Sequence, residues 1–226
     1  MAARPVGGIM TAPEFTLLSD PAISAVAVEE NGDAMLDIRI AGFRADARKT
    51  DDNPVLYRSR SGVIARLLQA QSLLPEGYSL LIVECHRPVA LQLHYFTGYR
   101  EELRSSFPDW SEGRLHREAS RYVSPPEVAP HCTGGAVDLT LCTDSGVELD
   151  MGTRVNASPV ESENRCYTAA SDIPVAAQAN REILGRALTD VGLVNYPTEW
   201  WHWSYGERYW AYSTGNAACY GPVGSA

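Results

Sequence analysis

Apolar and polar positions along the chain alternate in some segments, recur at helical spacing in others, and are separated by long polar loops. MLDIRI, residues 35–40, alternates and predicts a strand, whereas residues 41–58, with their charges and Pro54, predict a long loop. SRSGVIARLLQAQSLL places Val63, Leu67, Ala70 and Leu74 on one side of a helix, with Gly77 as its stop. YSLLIVEC is a short apolar run that predicts a buried strand and delivers Arg87 at its end, just before Pro88. Helices are predicted from about Val89 to Leu103 and from Ser111 to Tyr122. The prolines of VSPPEVAP remove backbone donors and favour extended geometry, so that stretch predicts a loop carrying His131. Gly134 and Gly135 separate this histidine from a strand in AVDLTLC. A second long loop is expected over 152–174, followed by a helix in VAAQANREILGRALTDVGL with Ala179, Ile183, Ala187 and Leu188 inward. EWWHWSY predicts a terminal strand. Mixed helices and strands with few close strand–turn–strand repeats make the class α+β.

With 226 residues, 45% hydrophobic and 21% charged, the chain has apolar material for the core of one domain and is cramped for two. The expected division is an irregular lead-in over 1–34 packed on the body, a main domain over 35–212 and a tail over 213–226. A net charge of -9 and a pI near 5.0 argue against nucleic acid as a partner. They do not argue against a small ligand, because a local basic pocket around Arg87 can bind a carboxylate whatever the net charge. The first fifteen residues, MAARPVGGIMTAPEF, lack the apolar core of a secretory signal, and no later stretch reaches membrane-spanning length. A cytoplasmic protein with no membrane partner is therefore the default expectation, a secreted or cell-envelope protein the alternative, and a homo-oligomer is left open. Cys85, Cys132, Cys142, Cys166 and Cys219 are odd in number, lack C-x-x-C spacing, and are expected as free thiols.

Candidate chemistry concentrates in two runs. HCTGGAVDLTL holds His131 and Asp138, and EWWHW holds Glu199 and His202. Two imidazoles and a carboxylate can bind zinc through three protein ligands and leave a fourth position for water, as a hydrolytic site requires. Glu199 is then a candidate general base, and Arg87, in VECHRPVALQ, a candidate fixed charge for a developing oxyanion. Taken singly, each of these residues has a bland reading as a loop, capping or surface group; their joint occurrence favours the metal. One geometric condition attaches. In a regular strand Glu199 and His202 would project to opposite faces, so the reading requires a bulge, or a turn at Asn195 to Thr198 with the strand starting after Glu199. His86, His94 and His116 read as packing or surface residues, Trp200, Trp201, Trp203, Tyr205 and Trp210 as core, and Cys132 as pointing away from the metal.

In order and spacing, HRP at 86–88, H-x-x-G-x-A-x-D-L-T-L at 131–141 and E-W-W-H at 199–202 resemble the zinc-dependent D-alanyl-D-alanine dipeptidases. That group includes the enzymes of glycopeptide resistance and is related to zinc D,D-carboxypeptidases and Hedgehog-type domains. LDMGTR at 149–154 also fits, and the resemblance spans roughly Met35 to Tyr212. It implies a Hedgehog/DD-peptidase-like fold with an antiparallel-rich sheet flanked by helices and the site on the sheet. It further implies His131, Asp138 and His202 as Zn2+ ligands, Glu199 as general acid/base, Arg87 as stabiliser of the tetrahedral intermediate, and a small peptide such as D-alanyl-D-alanine as substrate.

Two positions depart from the pattern. Where the resistance dipeptidases carry a serine and an aspartate that help hold the substrate's ammonium group, this chain has Ala129 and Asn156. Asn156 is then a substrate-binding candidate without the charge, with Asp150 and Glu148 as nearby carboxylates to supply it. The departures raise an alternative, a carboxypeptidase or amidase acting on longer or N-blocked peptides. A non-catalytic zinc binding module is a further alternative. Glu199 speaks against it, because a closed structural site needs no carboxylate beside it.

Overall fold

The computed structural model describes residues 15–46 and 53–224. Most of the segment read for a secretory signal, residues 47–52 of the first long loop and the last two residues of the tail lie outside the described residues. The strands are β1 (Met35–Asp37), β2 (Arg44–Ala45), β3 (Arg58–Arg60), β4 (Tyr78–Glu84), β5 (Ala136–Thr143), β6 (Val194–Asn195) and β7 (His202–Ser204). The helices are α1 (Pro21–Ser24), α2 (Ser61–Leu73), α3 (Val89–Ser106), α4 (Glu112–Ala119), α5 (Val175–Asp190) and α6 (Arg208–Thr214). A five-stranded sheet has the order β2-β4-β5-β7-β6, with β2 parallel to β4 and the other neighbours antiparallel. β1 and β3 form a separate antiparallel pair. The α+β expectation, with an antiparallel-rich sheet and flanking helices, holds.

Side-chain alternation along β5 divides the molecule. Val137, Leu139 and Leu141 join Leu80 and Ile82 of β4 in the main core, which α2 and α5 complete through Val63, Leu67, Leu184 and Leu188. Each such fully buried aliphatic side chain contributes about 1.5–3 kcal/mol. Asp138, one residue out of phase, takes the other face. The α3–α4 pair encloses a smaller cluster of its own, built on Phe96, Leu103, Leu115, Ala119 and Val123. Leu17, Leu18 and Ile23 of the lead-in are buried with Val128, Tyr196 and Tyr209.

Several expectations need correction. The strand over 35–40 stops at Asp37, whose carboxylate accepts the Arg39 amide and starts a turn. The loop over 41–58 contains β2, paired to β4, and a 3-10 turn at Pro54–Tyr57 begun by the Asn53 side chain. His131 sits in a 3-10 turn, Pro130–Thr133, rather than in an irregular loop. In α5 the inward residues are Ala177, Arg181, Leu184, Ala187 and Leu188, while Ala179 is exposed and Ile183 half-buried. Arg181 explains the shift in phase. Its guanidinium donates to the carbonyls of Met151, Tyr167 and Arg165 at 2.8–2.9 Å, so a charged residue centres the buried face and the neighbouring apolar positions turn outward.

Candidate metal centre

Strand register builds most of this site. Across the sheet Glu84, Asp138 and His202 lie in one row, because β4 pairs Glu84 with Asp138 and β7 pairs His202 with Asp138. A bulge between Ile82 and Glu84 sets the first of these pairings. His131 enters from its 3-10 turn. The turn closes on Gly134 at φ +70°, where a Cβ would lie 2.5 Å from Met35 Sδ, and on Gly135, where one would lie 2.7 Å from the Tyr205 carbonyl oxygen. Only glycine allows that approach.

Three donor atoms converge as a result. Asp138 Oδ1 lies 3.2 Å from His131 Nε2 and 3.0 Å from His202 Nδ1, and the two nitrogens are 3.1 Å apart. All three residues are buried. Nδ1 of His131 donates to the Cys85 carbonyl at 2.5 Å, which orients the ring and turns Nε2 toward the carboxylate. Burial pushes the pKa of His202 below its usual value against the opposing pull of Asp138. Burial alone would raise the Asp138 carboxyl, but His131 and His202 outweigh it and hold it well below the ordinary range. Two imidazole nitrogens and a carboxylate oxygen are the donor set a zinc ion takes, and binding it displaces any imidazole proton. His202 presents Nδ1 to the cluster, while its Nε2, on the other side of the ring, is buried without a hydrogen-bond partner among the described residues. The residues fit a divalent cation.

Glu199 meets the geometric condition set by the sequence. β7 begins at His202, and Glu199 precedes it in a turn closed by hydrogen bonds from the Glu199 amide to the Tyr196 carbonyl and from the His202 amide to the Glu199 carbonyl. Glu199 Oε2 comes within 3.8 Å of His202 Nδ1. Asn195, which the sequence places only as the start of the turn, ties it together through its side chain. Its amide nitrogen donates to the carbonyls of Glu199 (3.0 Å) and His202 (2.9 Å), and its oxygen accepts from Thr168 Oγ1.

Arg87 stands where the sequence put it, beyond the end of β4, but its guanidinium is already engaged. Nε and Nη2 grip the two oxygens of buried Glu84, each at 2.7 Å, and Nη1 donates to Gln92 Oε1 at 2.9 Å. Gln92 in turn donates to the Ser124 carbonyl, and the Arg87 amide donates to the His131 carbonyl. Glu84 and Gln92 were missed, although a glutamate closing an apolar strand run three residues before an arginine was a visible cue.

A cleft of about 380 Å³ is lined by His131, Asp138, His202, Glu199, Arg87 and Asn156, together with residues of α3 and the segment 122–124. Asn156 is a non-glycine residue at φ +60°, its carbonyl oxygen accepting from Tyr122 Oη and Arg154 Nη1. Ala129, Asp150 and Glu148 do not line the cleft, so neither carboxylate replaces the missing charge. Tyr95, Tyr99 and Tyr122 do line it, whereas the tryptophans of EWWHW pack in the core as expected. All five cysteines are free, and Cys132 is buried outside the ligand cluster.

Residues 52–217 match the family described as D-ala-D-ala dipeptidase. A D-alanyl-D-alanine dipeptidase of Synechocystis sp. is 30% identical over 178 residues, covering 69% of this chain and 72% of the relative. One from Escherichia coli is 38% identical over 115 residues, covering 50% of this chain and 54% of the relative. A solved structure of the LdcB LD-carboxypeptidase, described as revealing the molecular basis of peptidoglycan recognition, overlaps 85% of this chain and 73% of its own at 16% identity and a TM-score of 0.39. By the extent of the family match and the Synechocystis relative, the chain belongs to the D-Ala-D-Ala dipeptidase family and is a peptidase.

Proposed function

We propose that the protein is a zinc metallopeptidase that hydrolyses D-alanyl-D-alanine, with His131, Asp138 and His202 holding the metal and Glu199 acting as general base. When bound, zinc would supply an acidified water and a polarised peptide carbonyl. Glu199 takes the proton of the attacking water and passes it to the departing amine, a role suited to a carboxylate beside the ligand cluster. Arg87 holds charge at the carbonyl oxygen. Glu84 and Gln92 engage three of its five N–H donors, which leaves two to face the cleft and fixes the plane they lie in. Two imidazoles favour zinc over the hard cations magnesium and calcium.

The observation that carries this reading is the convergence of three buried donor atoms in the same cleft as Glu199 and Arg87. The test is D-alanine release from D-alanyl-D-alanine by zinc-loaded protein, with chelated protein and Glu199→Ala alongside. Release should require the metal and disappear in a Glu199→Ala protein that still holds zinc. Folded, zinc-binding wild type that releases no D-alanine would refute the proposal. Asn156 favours a second reading, a longer or N-blocked peptide, because a neutral amide in the cleft does not require an ammonium partner. Comparing free and N-acetylated dipeptide separates the two.

A further inference from the structure

The 3-10 turn that carries His131 satisfies only its first carbonyls by itself. Those of Ala129, Pro130 and His131 accept from the Cys132 amide, the Thr133 hydroxyl and the Gly134 amide. The next three are met by residues distant in sequence. Cys132 accepts from the Val223 amide at 2.8 Å, Thr133 from Arg60 Nε at 2.9 Å, and Gly134 from the Arg60 amide at 3.0 Å and Ser59 Oγ at 2.9 Å. The whole stretch is buried, where a carbonyl without a donor is costly, so these outside donors hold the turn in place.

Arg60 is itself buried, and every one of its five guanidinium N–H donors is used. Besides Nε on Thr133, Nη1 donates to Glu30 Oε1 at 2.8 Å and to the Asp33 carbonyl at 3.0 Å, and Nη2 to Glu30 Oε2 at 3.0 Å and to the Gly221 carbonyl at 3.2 Å. The lead-in and the tail are also tied directly to each other. Glu30 Oε2 accepts from the Gly221 amide at 2.9 Å, and Tyr220 Oη donates to Asp33 Oδ2 at 2.6 Å, its buried ring lying 5.2 Å from the Arg60 guanidinium. One side chain thus joins the lead-in, the tail and the turn that presents a proposed ligand. Neither Arg60, Glu30 nor Tyr220 lines the cleft, so none of them touches substrate. Glu30, Asp33, Tyr220, Gly221 and Val223 also lie outside residues 52–217, the stretch matched to the family.

We propose that Arg60 is a positioning residue for the metal centre: clamped by Glu30 and the tail, it fixes the turn that aims His131 Nε2 at Asp138 and His202, and so sets metal affinity from outside the cleft. The inference rests on the metal-centre reading and goes beyond it, because it gives the two ends of the chain a part in the site.

The test uses Arg60→Lys, which keeps the charge beside Glu30 but replaces a planar fork of five donors by one nitrogen with three, too few for Thr133, Glu30, Asp33 and Gly221 together. Zinc affinity is measured by competition with a chromophoric chelator, ligand geometry by the visible spectrum of cobalt-substituted protein, and kcat and KM on D-alanyl-D-alanine, all well below the thermal midpoint. Zinc Kd should rise about tenfold, the lower end of the effect of groups that orient metal ligands, with an altered cobalt spectrum, a lower kcat and an unchanged KM. Leu115→Ala, in the separate α3–α4 cluster, should lower the midpoint while leaving zinc affinity as in wild type. Folded Arg60→Lys with wild-type zinc affinity and cobalt spectrum would overturn the proposal. So would the same tenfold loss in Leu115→Ala, since weak binding would then merely follow lowered stability. If Arg60→Lys does not fold, Val223→Pro, which removes only the amide on the Cys132 carbonyl, decides by the same criteria. Wild type that binds no zinc would overturn the metal reading, and this inference with it.

Discussion

Asn195 makes three hydrogen bonds that hold the turn between β6 and β7, and this turn carries both the proposed base and one proposed ligand. Asn195→Ala removes all three. At about 1 kcal/mol net for each neutral bond, and with two backbone carbonyls losing a donor, the loss comes to about 2–3 kcal/mol. For a chain of this size that lowers the thermal midpoint by roughly 5–10 °C. The effect on catalysis should be larger than the effect on folding. Glu199 and His202 are three residues apart and both hang from carbonyls that Asn195 fixes, so release of the turn shifts base and ligand relative to each other, and a misplacement near 1 Å can cost about 10²-fold in rate. Asn195→Asp keeps the bond from Thr168 but points a carboxylate at the two carbonyls, and should be at least as damaging. The assay is kcat for D-alanine release, measured well below the variant's midpoint, with zinc content determined in parallel. Asn195→Ala with wild-type kcat would refute the claim that this side chain positions the turn.

Glu84→Ala should destabilise by about 3–5 kcal/mol, since it leaves the Arg87 guanidinium without its buried bidentate partner, whereas the double variant Glu84→Leu, Arg87→Met should recover most of that loss; equal losses in chemical denaturation would contradict the pairing. His86 is held at a pKa of about 4 by burial and by the positive potential of His131, Arg58 and Arg60. Its folded value lies below the unfolded one near 6.5, so the stability linked to it is full above pH 6.5 and is lost, up to roughly 3 kcal/mol, as the pH falls toward 4. In metal-free protein, His86→Gln should flatten this part of the pH–stability curve, and a curve parallel to wild type would remove His86 as its source. Free zinc at a hundredfold excess over its Kd should stabilise the protein by about 2.7 kcal/mol, reversibly with chelator; a rise of the same size in His202→Ala would sink the ligand assignment.

The sequence was most legible where a local rule sufficed. Alternation in AVDLTLC assigns Val137 and Leu139 to one face and Asp138 to the other, and β5 obeys it. The conflict between period two and the spacing of Glu199 and His202 required an interruption, and β7 starts after it. What stayed hidden depends on partners distant in sequence or on polar burial. Arg181 is buried because three loop carbonyls need donors, and no hydropathy count contains that demand. Arg44–Ala45 is a strand only because β4 offers an edge to pair with. The helix from Val89 shows no face in its sequence that marks the cleft, so Tyr95, Tyr99 and Glu102, which line it, went unremarked.

The row Glu84–Asp138–His202 also gives Arg87 a second reason for its place. Two carboxylates opposite one another on adjacent buried strands repel, and such a pair is destabilising even on a solvated sheet. Asp138 is offset by two imidazoles and the cation they would share, but Glu84 has no place in that cluster. Its charge is met from the other side by Arg87, in a two-pronged contact that places the guanidinium plane beside the cleft. Charge balance in the sheet and charge supply to the reacting carbonyl are thereby joined in one side chain. The joint role separates Arg87→Lys from a simple loss of charge. A lysine keeps the positive charge but cannot grip both oxygens of Glu84 and still present donors to the cleft. Arg87→Lys should therefore retain most of the folding stability while losing turnover, and wild-type kcat in that variant would show that charge alone, without the fork, is what the cleft requires.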